Sequence, residues 1–172
     1  MRCDGAPGLY RQKRIGRGGK SFYCWKIRTM VPNAEAALAE LIRTNASCSR
    51  EWHATQKLRH DPRITRIGRL LRKTSIDELP QLWNVVLGDM SLIGPRPFLP
   101  DQQAAYDGTG ARRAYYDVRP GITGLWQVQS RNDGTFTDRI RFDEAYCNNL
   151  SLITDLVIVA KTLRTLLRVD GR

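Results

Sequence analysis

The stretch TSIDELPQLWN, residues 74–84, sets an acidic pair, Asp77 and Glu78, between a run of arginines and an apolar, Trp-containing segment. Ser75 followed three residues later by Glu78 matches a capping box, in which the serine oxygen accepts a first-turn N–H and the glutamate reaches back to the cap. Negative charge there also suits the positive end of a helix dipole. Leu79, Leu82, Trp83 and Val86 recur at helical spacing and predict a buried stripe, with Gly88 as a stop. On this stretch alone the carboxylates stand either as the polar opening of a helix or as a reaction centre.

The flanking segments carry arginine, glycine and proline. Upstream, DPRITRIGRLLRKT (61–74) puts Ile64, Ile67, Leu70 and Leu71 on one face while Arg63, Arg66, Arg69, Arg72 and Lys73 crowd the rest. That is a basic amphipathic helix, suited either to a membrane surface or to a core with a solvated basic side. Downstream, GDMSLIGPRPFLP (88–100) forbids a continuous helix and predicts a rigid loop with Arg96 in its middle, able to hold a guanidinium fork against phosphate. VRPGITGLWQVQSRND (118–133) repeats the theme, with a short β-like piece after the loop.

Further out, LYRQKRIGRGGKSFYCWKIRTM (9–30) reads as a β-hairpin around GRGG, and PNAEAALAELIRT (32–44) as a helix. Residues 45–62 read as a polar loop or short irregular helix, and residues 101–118 as helical with a break at DGTG. Two helices close the chain, the last with Leu152, Ile153, Leu156, Val157, Ala160, Leu163 and Leu167 as a wide apolar stripe. The fold class expected is α+β: one domain over residues 1–172, mainly helical, with an N-terminal β-hairpin and several amphipathic helices of the membrane-interface type.

Composition narrows the function. A hydrophobic content of 41% with 26% charged residues is ordinary for a folded chain, so global disorder is excluded. Charge is uneven: residues 1–73 carry 17 Lys and Arg against 5 Asp and Glu, a net +12, and residues 74–172 carry 11 against 12. The first part therefore predicts a basic surface facing nucleic acid, anionic lipid or a phosphorylated substrate. Cys3, Cys24, Cys48 and Cys147 form no C-x-x-C pair, and reduced thiols in a cytosolic setting follow. His53 and His60 are too few for a metal cluster. The stretch MRCDGAPGLYRQKR (1–14) is polar and basic and does not resemble a signal peptide, and LITDLVIVAKTLRTLL is broken by Asp155, Lys161 and Arg164, short of the roughly 20 apolar residues a spanning helix needs.

KIRTM (26–30), the long block from Asp61 to Pro97 and RPGITGLWQVQSRN (119–132), in this order, closely resemble the bacterial sugar transferase family, the monotopic polyprenyl-phosphate phosphoglycosyl transferases that start exopolysaccharide and O-antigen assembly. The resemblance runs from about Leu9 to Arg168. It implies a membrane-bound enzyme that moves a sugar phosphate from a UDP-sugar onto undecaprenyl phosphate and releases UMP, at the cytoplasmic face of the bacterial inner membrane.

By the same resemblance, Asp77 is the nucleophile that forms a covalent phosphosugar, Glu78 its acid/base and metal-supporting partner, and Mg²⁺, held by Asp77 and Glu78, the cofactor. Attack of a carboxylate on a diphosphate brings two anions together, so such a site needs cations. Arg72, Arg96, Arg119 and Arg131 are the candidate phosphate clamp, with Lys26 and Arg28 either substrate contacts or strand residues on a solvated face. Arg72 has its own structural alternative on the solvated side of its helix, and Asp143 is expected to pair with a nearby arginine.

Family members carry an apolar re-entrant segment ahead of this region. Read from Met1, the sequence lacks one, so the expectation is a fragment, or attachment through the basic helix and the closing helix. Two other readings are an inactive relative and a nucleic-acid-binding module. The second rests on charge alone, without zinc-finger, homeodomain or aromatic RNA-binding patterns, so no specific nucleic-acid partner is expected.

Overall fold

A computed structural model describes residues 7–55, 58–108, 112–129 and 136–167 of the 172. The chain opens with strands β1 (Leu9–Ile15) and β2 (Ser21–Ile27), paired antiparallel around a turn at Arg17–Gly19. The alternation of β2 explains its docking. Gln12 faces Cys24 across the pair, and Arg14 and Lys26 share the period-two phase of these residues, so one face of the hairpin turns two cations inward. The other phase carries Arg11, Lys13 and Tyr23 outward, with the Arg11 guanidinium 4.6 Å from the Tyr23 ring centre.

Helices α1 (Ala34–Thr44) and α2 (Ala46–Thr55) follow. The polar stretch after residue 45 is thus a regular helix, started by Asn45, whose Oδ1 accepts the N–H groups of Ser47 and Cys48 at 3.0 Å each. Helix α3 (Arg66–Lys73) starts one turn later than the sequence pattern suggests. Thr65 caps it by accepting the Gly68 N–H at 2.9 Å, while Ile64 bridges to Met30. Arg63 is not part of a solvated face: it is buried in a two-pronged pair with Asp61, at 2.6 and 2.8 Å. Gly68 is dictated by packing, because a Cβ there would lie 2.0 Å from the carbonyl oxygen of Thr29.

The segment 74–84 departs from its sequence reading. Ser75 adopts φ +56°, its side chain caps nothing, and Ile76–Glu78 form a single 3-10 turn. Helix α4 (Gln81–Val86) begins only after Pro80. No capping box forms, because the Glu78 carboxylate is taken by cations from elsewhere in the chain.

The expected buried stripe faces outward: Leu79 and Leu82 are exposed, Trp83 is 59% exposed and Val86 74%. The buried side of α4 is polar. Asn84, fully buried, accepts the Trp25 N–H at 3.1 Å and donates to the Tyr23 carbonyl at 2.8 Å, satisfying the edge of β2 that β1 leaves unpaired.

Strand β3 (Ser91–Ile93) then pairs in parallel with β4 (Gly121–Thr123), bringing the two Arg-Pro-Gly loops side by side. Between them lie α5 (Gln103–Asp107) and α6 (Arg112–Asp117). A Cβ on Gly121 would meet the Gly94 nitrogen at 2.1 Å, so glycine is what lets these backbones approach. The β-like piece is GIT, and LWQVQ is helix α7 (Leu125–Gln129), not strand. Helices α8 (Phe136–Asn148) and α9 (Leu152–Leu167) complete the fold.

The core is small and aromatic: Ile15, Phe98, Tyr106, Tyr115 and Ile140, with Phe98 stacked on Tyr106 at 4.3 Å between ring centres. Apolar side chains of α3 (Ile67, Leu70), α4 and α9 (Leu152, Ile153, Leu156, Val157, Leu163) stay outside it, although Ile158 of α9 is buried. No helix among the described residues is long and apolar enough to cross a membrane.

The polar-inside arrangement of α4 has a measurable consequence. Asn84→Ala leaves a buried donor and acceptor on β2 unpaired and is expected to lower the unfolding free energy by about 2–3 kcal/mol. Val86→Gln, on the exposed side, costs less than about 0.5 kcal/mol. Urea unfolding in detergent measures both, and the opposite ranking would restore the buried-stripe reading of α4.

Candidate active site

The turn at Ile76–Glu78 holds the two carboxylates between α3 and α4, and two distant segments converge on it. Lys26 Nζ, from β2, donates to Glu78 Oε1 at 2.8 Å, and Arg96 Nη2, from the GPRP loop, donates to the same oxygen at 2.8 Å. Burial alone would raise the Glu78 pKa, but the Arg96 guanidinium and the Lys26 ammonium hold it well below the usual carboxylate range. Arg96 is correspondingly raised, with Glu78 as the main cause.

Asp77, 9% exposed, is in a different situation. Its pKa is raised, first by burial and with a further push from Glu78, while Lys26, Arg72 and Arg96 pull the other way. Arg72 keeps part of its side chain in solvent, while its Nε donates to Thr29 Oγ1 at 2.8 Å. Its own pKa is lowered by burial, against the pull of Asp77.

Behind Lys26 and Arg96 sits a third cation. Arg14 lines a small opening with Cys24, Lys26, Gln81, Arg96 and Pro97. Burial, with Arg96 nearby, lowers its pKa to about 10. Lys26 is lowered by burial and by Arg96 as well. The cluster thus sets Lys26 and Arg96 on one carboxylate with Arg14 behind them, and this concentration of positive charge favours an incoming anion.

Of the residues expected from sequence, Asp77, Glu78, Lys26, Arg72 and Arg96 come together here. Arg28 follows β2, half-buried, with its backbone N–H held by the Gly8 carbonyl at 2.8 Å. Arg119 is exposed, and its guanidinium borders Gly88, where none of the described contacts joins it to Glu78. Arg131 lies outside the described residues. Asp143 is structural as expected: it lies 3.4 Å from Arg139 and accepts the Tyr106 hydroxyl.

Arg14 and Gln81 were not singled out by sequence. The signal for Arg14 was available, since strand alternation gives it the same phase as Lys26 across the hairpin. Among the described residues no group of three or more His, Cys, Asp or Glu side chains could hold a metal by itself.

Comparison with known proteins places the whole chain in one family. Residues 1–169 match the family described as bacterial sugar transferase. The chain is 47% identical over 169 residues to the undecaprenyl-phosphate galactose phosphotransferase of Salmonella typhimurium, covering 98% of this chain and 35% of that protein. It is 48% identical over 160 residues to the exopolysaccharide production protein ExoY of Rhizobium meliloti, covering 93% and 70%. With the UDP-glucose:undecaprenyl-phosphate glucose-1-phosphate transferase of Caulobacter vibrioides it shares 41% identity over 175 residues, covering 96% and 58%. The chain therefore spans about a third of the Salmonella protein and most of the Rhizobium one. On the match along its whole length, it belongs to the bacterial sugar transferase family.

Proposed function

We propose that the protein transfers a sugar 1-phosphate from a UDP-sugar to undecaprenyl phosphate, as the first step of exopolysaccharide or O-antigen synthesis. The observation that carries this reading is the cation cluster: Lys26 and Arg96 both bound to Glu78, with Arg14 behind them and Asp77 alongside. In the first step a carboxylate oxygen of Asp77 attacks the sugar-linked phosphorus. The bond from that phosphorus to the bridging oxygen breaks, and UMP leaves with the electron pair. In the second step an oxygen of the lipid phosphate attacks the same phosphorus, and Asp77 leaves as a carboxylate. Arg96, Lys26 and Arg72 neutralise phosphate charge that would otherwise repel both nucleophiles.

Glu78 has the properties of a fixed anion. With two cations on one of its oxygens its charged form is favoured, and it orients Lys26 and Arg96. Mg²⁺ fits the donor set: Asp77 and Glu78 offer only oxygen ligands, and substrate phosphates would supply the others, as is usual for this ion. When bound, it would offset negative charge on the diphosphate.

A membrane location is supported by the outward apolar residues of α3, α4 and α9, with Trp83 among them and basic side chains beside them on α3. We place the protein on the cytoplasmic face of the bacterial inner membrane, where UDP-sugars meet a polyprenyl phosphate.

Three outcomes follow. With UDP-galactose or UDP-glucose and undecaprenyl phosphate, Asp77→Asn should abolish a trapped phosphosugar adduct and slow UMP release at least about 10³-fold; an adduct that survives the substitution refutes Asp77 as the nucleophile. Chelation by EDTA should stop UMP release and added Mg²⁺ restore it, whereas undiminished release in EDTA removes the metal from the mechanism. Val86→Glu and Leu156→Glu should each weaken flotation with anionic vesicles by about tenfold or more, and unchanged flotation would show that these faces do not meet lipid.

A further inference from the structure

The loop carrying Arg96 cannot hold its own shape. Pro95 and Pro97 have no N–H to donate, so the loop is fixed through its carbonyls, and four in succession are occupied. The Pro95 carbonyl accepts the Gly121 N–H at 2.9 Å and the Phe98 carbonyl accepts the Ile15 N–H at 3.0 Å. These two outer positions are ordinary backbone pairing. The inner two are held by guanidinium groups: Arg139 Nη2 donates to the Arg96 carbonyl, and Arg14 Nη1 donates to the Pro97 carbonyl at 3.1 Å.

Each of these arginines is anchored in turn. Arg14 Nη2 donates to Gln12 Oε1 at 2.6 Å, and Arg139 lies 3.4 Å from the Asp143 carboxylate, which also accepts the Tyr106 hydroxyl. The Arg139 side chain sits over the Tyr106 and Trp126 rings, about 6 Å from each centre, and is 6% exposed. Setting two cations against the loop of a third is electrostatically unfavourable, and Arg96 adds to burial in lowering the Arg14 pKa. A neutral donor could satisfy the same carbonyls. Two forks, Arg14 bonded to a carbonyl and to Gln12, and Arg139 bonded to a carbonyl and ion-paired with Asp143, fix the peptide more narrowly than single donors do.

We propose that Arg14 and Arg139 are positioning residues that clamp the Arg96–Pro97 main chain from β1 and α8, so that the Arg96 guanidinium stays on Glu78 with its remaining donors toward the substrate diphosphate. The clamp rests on the transferase reading for its purpose, but it concerns residues that do not themselves touch substrate. Misplacing a phosphate-binding group by about 1 Å is enough to cost up to about 100-fold in rate.

The test is a double-mutant cycle with a spectroscopic arm on the full chain in detergent. Arg14→Lys keeps the charge but loses the fork, so it cannot hold Pro97 and Gln12 together. UMP release should fall about tenfold or more in Arg14→Lys, while the same change made in an Arg96→Gln protein should cost less than about twofold, since no guanidinium is left to position. In ¹⁵N-arginine-labelled protein, the Arg96 Nε–H group should be ordered in the unsubstituted chain and lose order in Arg14→Lys and in Arg139→Lys. Thermal unfolding of each variant identifies any that fails to fold, and the Arg14→Lys arm stands without Arg139→Lys. Equal losses in both backgrounds, or an Arg96 signal as ordered as before, overturn the clamp and leave the transferase reading intact. An Arg96→Gln protein with undiminished UMP release removes Arg96 from phosphate binding, which overturns the clamp and leaves the transferase reading intact. Loss of Arg96 order in a chain that releases no UMP from any UDP-sugar upholds the clamp and sinks the transferase reading.

Discussion

The Glu78 carboxylate is the constraint around which the molecule is arranged. It is largely withdrawn from water, and its charged form is tolerable there only with close cationic partners, which hold its pKa down. Those partners come from Lys26, 52 residues before it, and Arg96, 18 residues after it. Satisfying one carboxylate therefore draws the hairpin, the turn before α4 and the GPRP loop to a single point. Local structure yields to that demand. Ser75 takes a left-handed backbone that reverses the chain after α3, and the glutamate that could have closed a helix cap is spent on long-range ion pairs.

The same demand explains why α4 is turned the way it is. A two-stranded sheet leaves one edge of β2 unpaired, and the cheapest nearby partner for its N–H and C=O groups is an amide side chain. Asn84 fills that place and draws Gln81 to the buried side, which leaves the apolar residues of the helix no direction but outward. The core that remains is supplied by aromatic residues clustered where Phe98 leaves the GPRP loop. Burial of apolar surface is consequently divided: Phe98, Tyr106 and Tyr115 hold the protein together, while Trp83, Leu152 and Ile153 face away from it.

Much of this was legible in the sequence, and the failures share a cause. Alternation over residues 21–27 and the glycines at 16, 18 and 19 gave the hairpin, because register is a local property of a strand and its turn. The apolar periodicity of α4 was also real, but periodicity says which residues share a face and not whether that face meets a core or another apolar medium. The excess of +12 over residues 1–73 was read as surface, yet Arg14, Lys26 and Arg63 are used internally, in contacts that no local pattern announces. Family resemblance supplied Asp77, Glu78 and Arg96. It did not supply Arg14 or Arg139, whose contacts are to main-chain carbonyls of a loop more than 40 residues away.

The two neighbouring carboxylates differ because their partners differ. Glu78 has a short bond to each of two cations, whereas Asp77 feels burial, an adjacent anion and cations that are committed elsewhere, so its pKa is raised where that of Glu78 is depressed. On the proposed mechanism this asymmetry is useful. A carboxylate locked into ion pairs makes a poor nucleophile, and one that is less well compensated is the better attacking group. The arrival of a diphosphate would bring further anionic oxygens to the same cations, and Arg96 has donors left after binding Glu78 through a single Nη2 contact. Glu78 thus keeps the cations oriented in the absence of substrate, and leaves Asp77 as the carboxylate free to react.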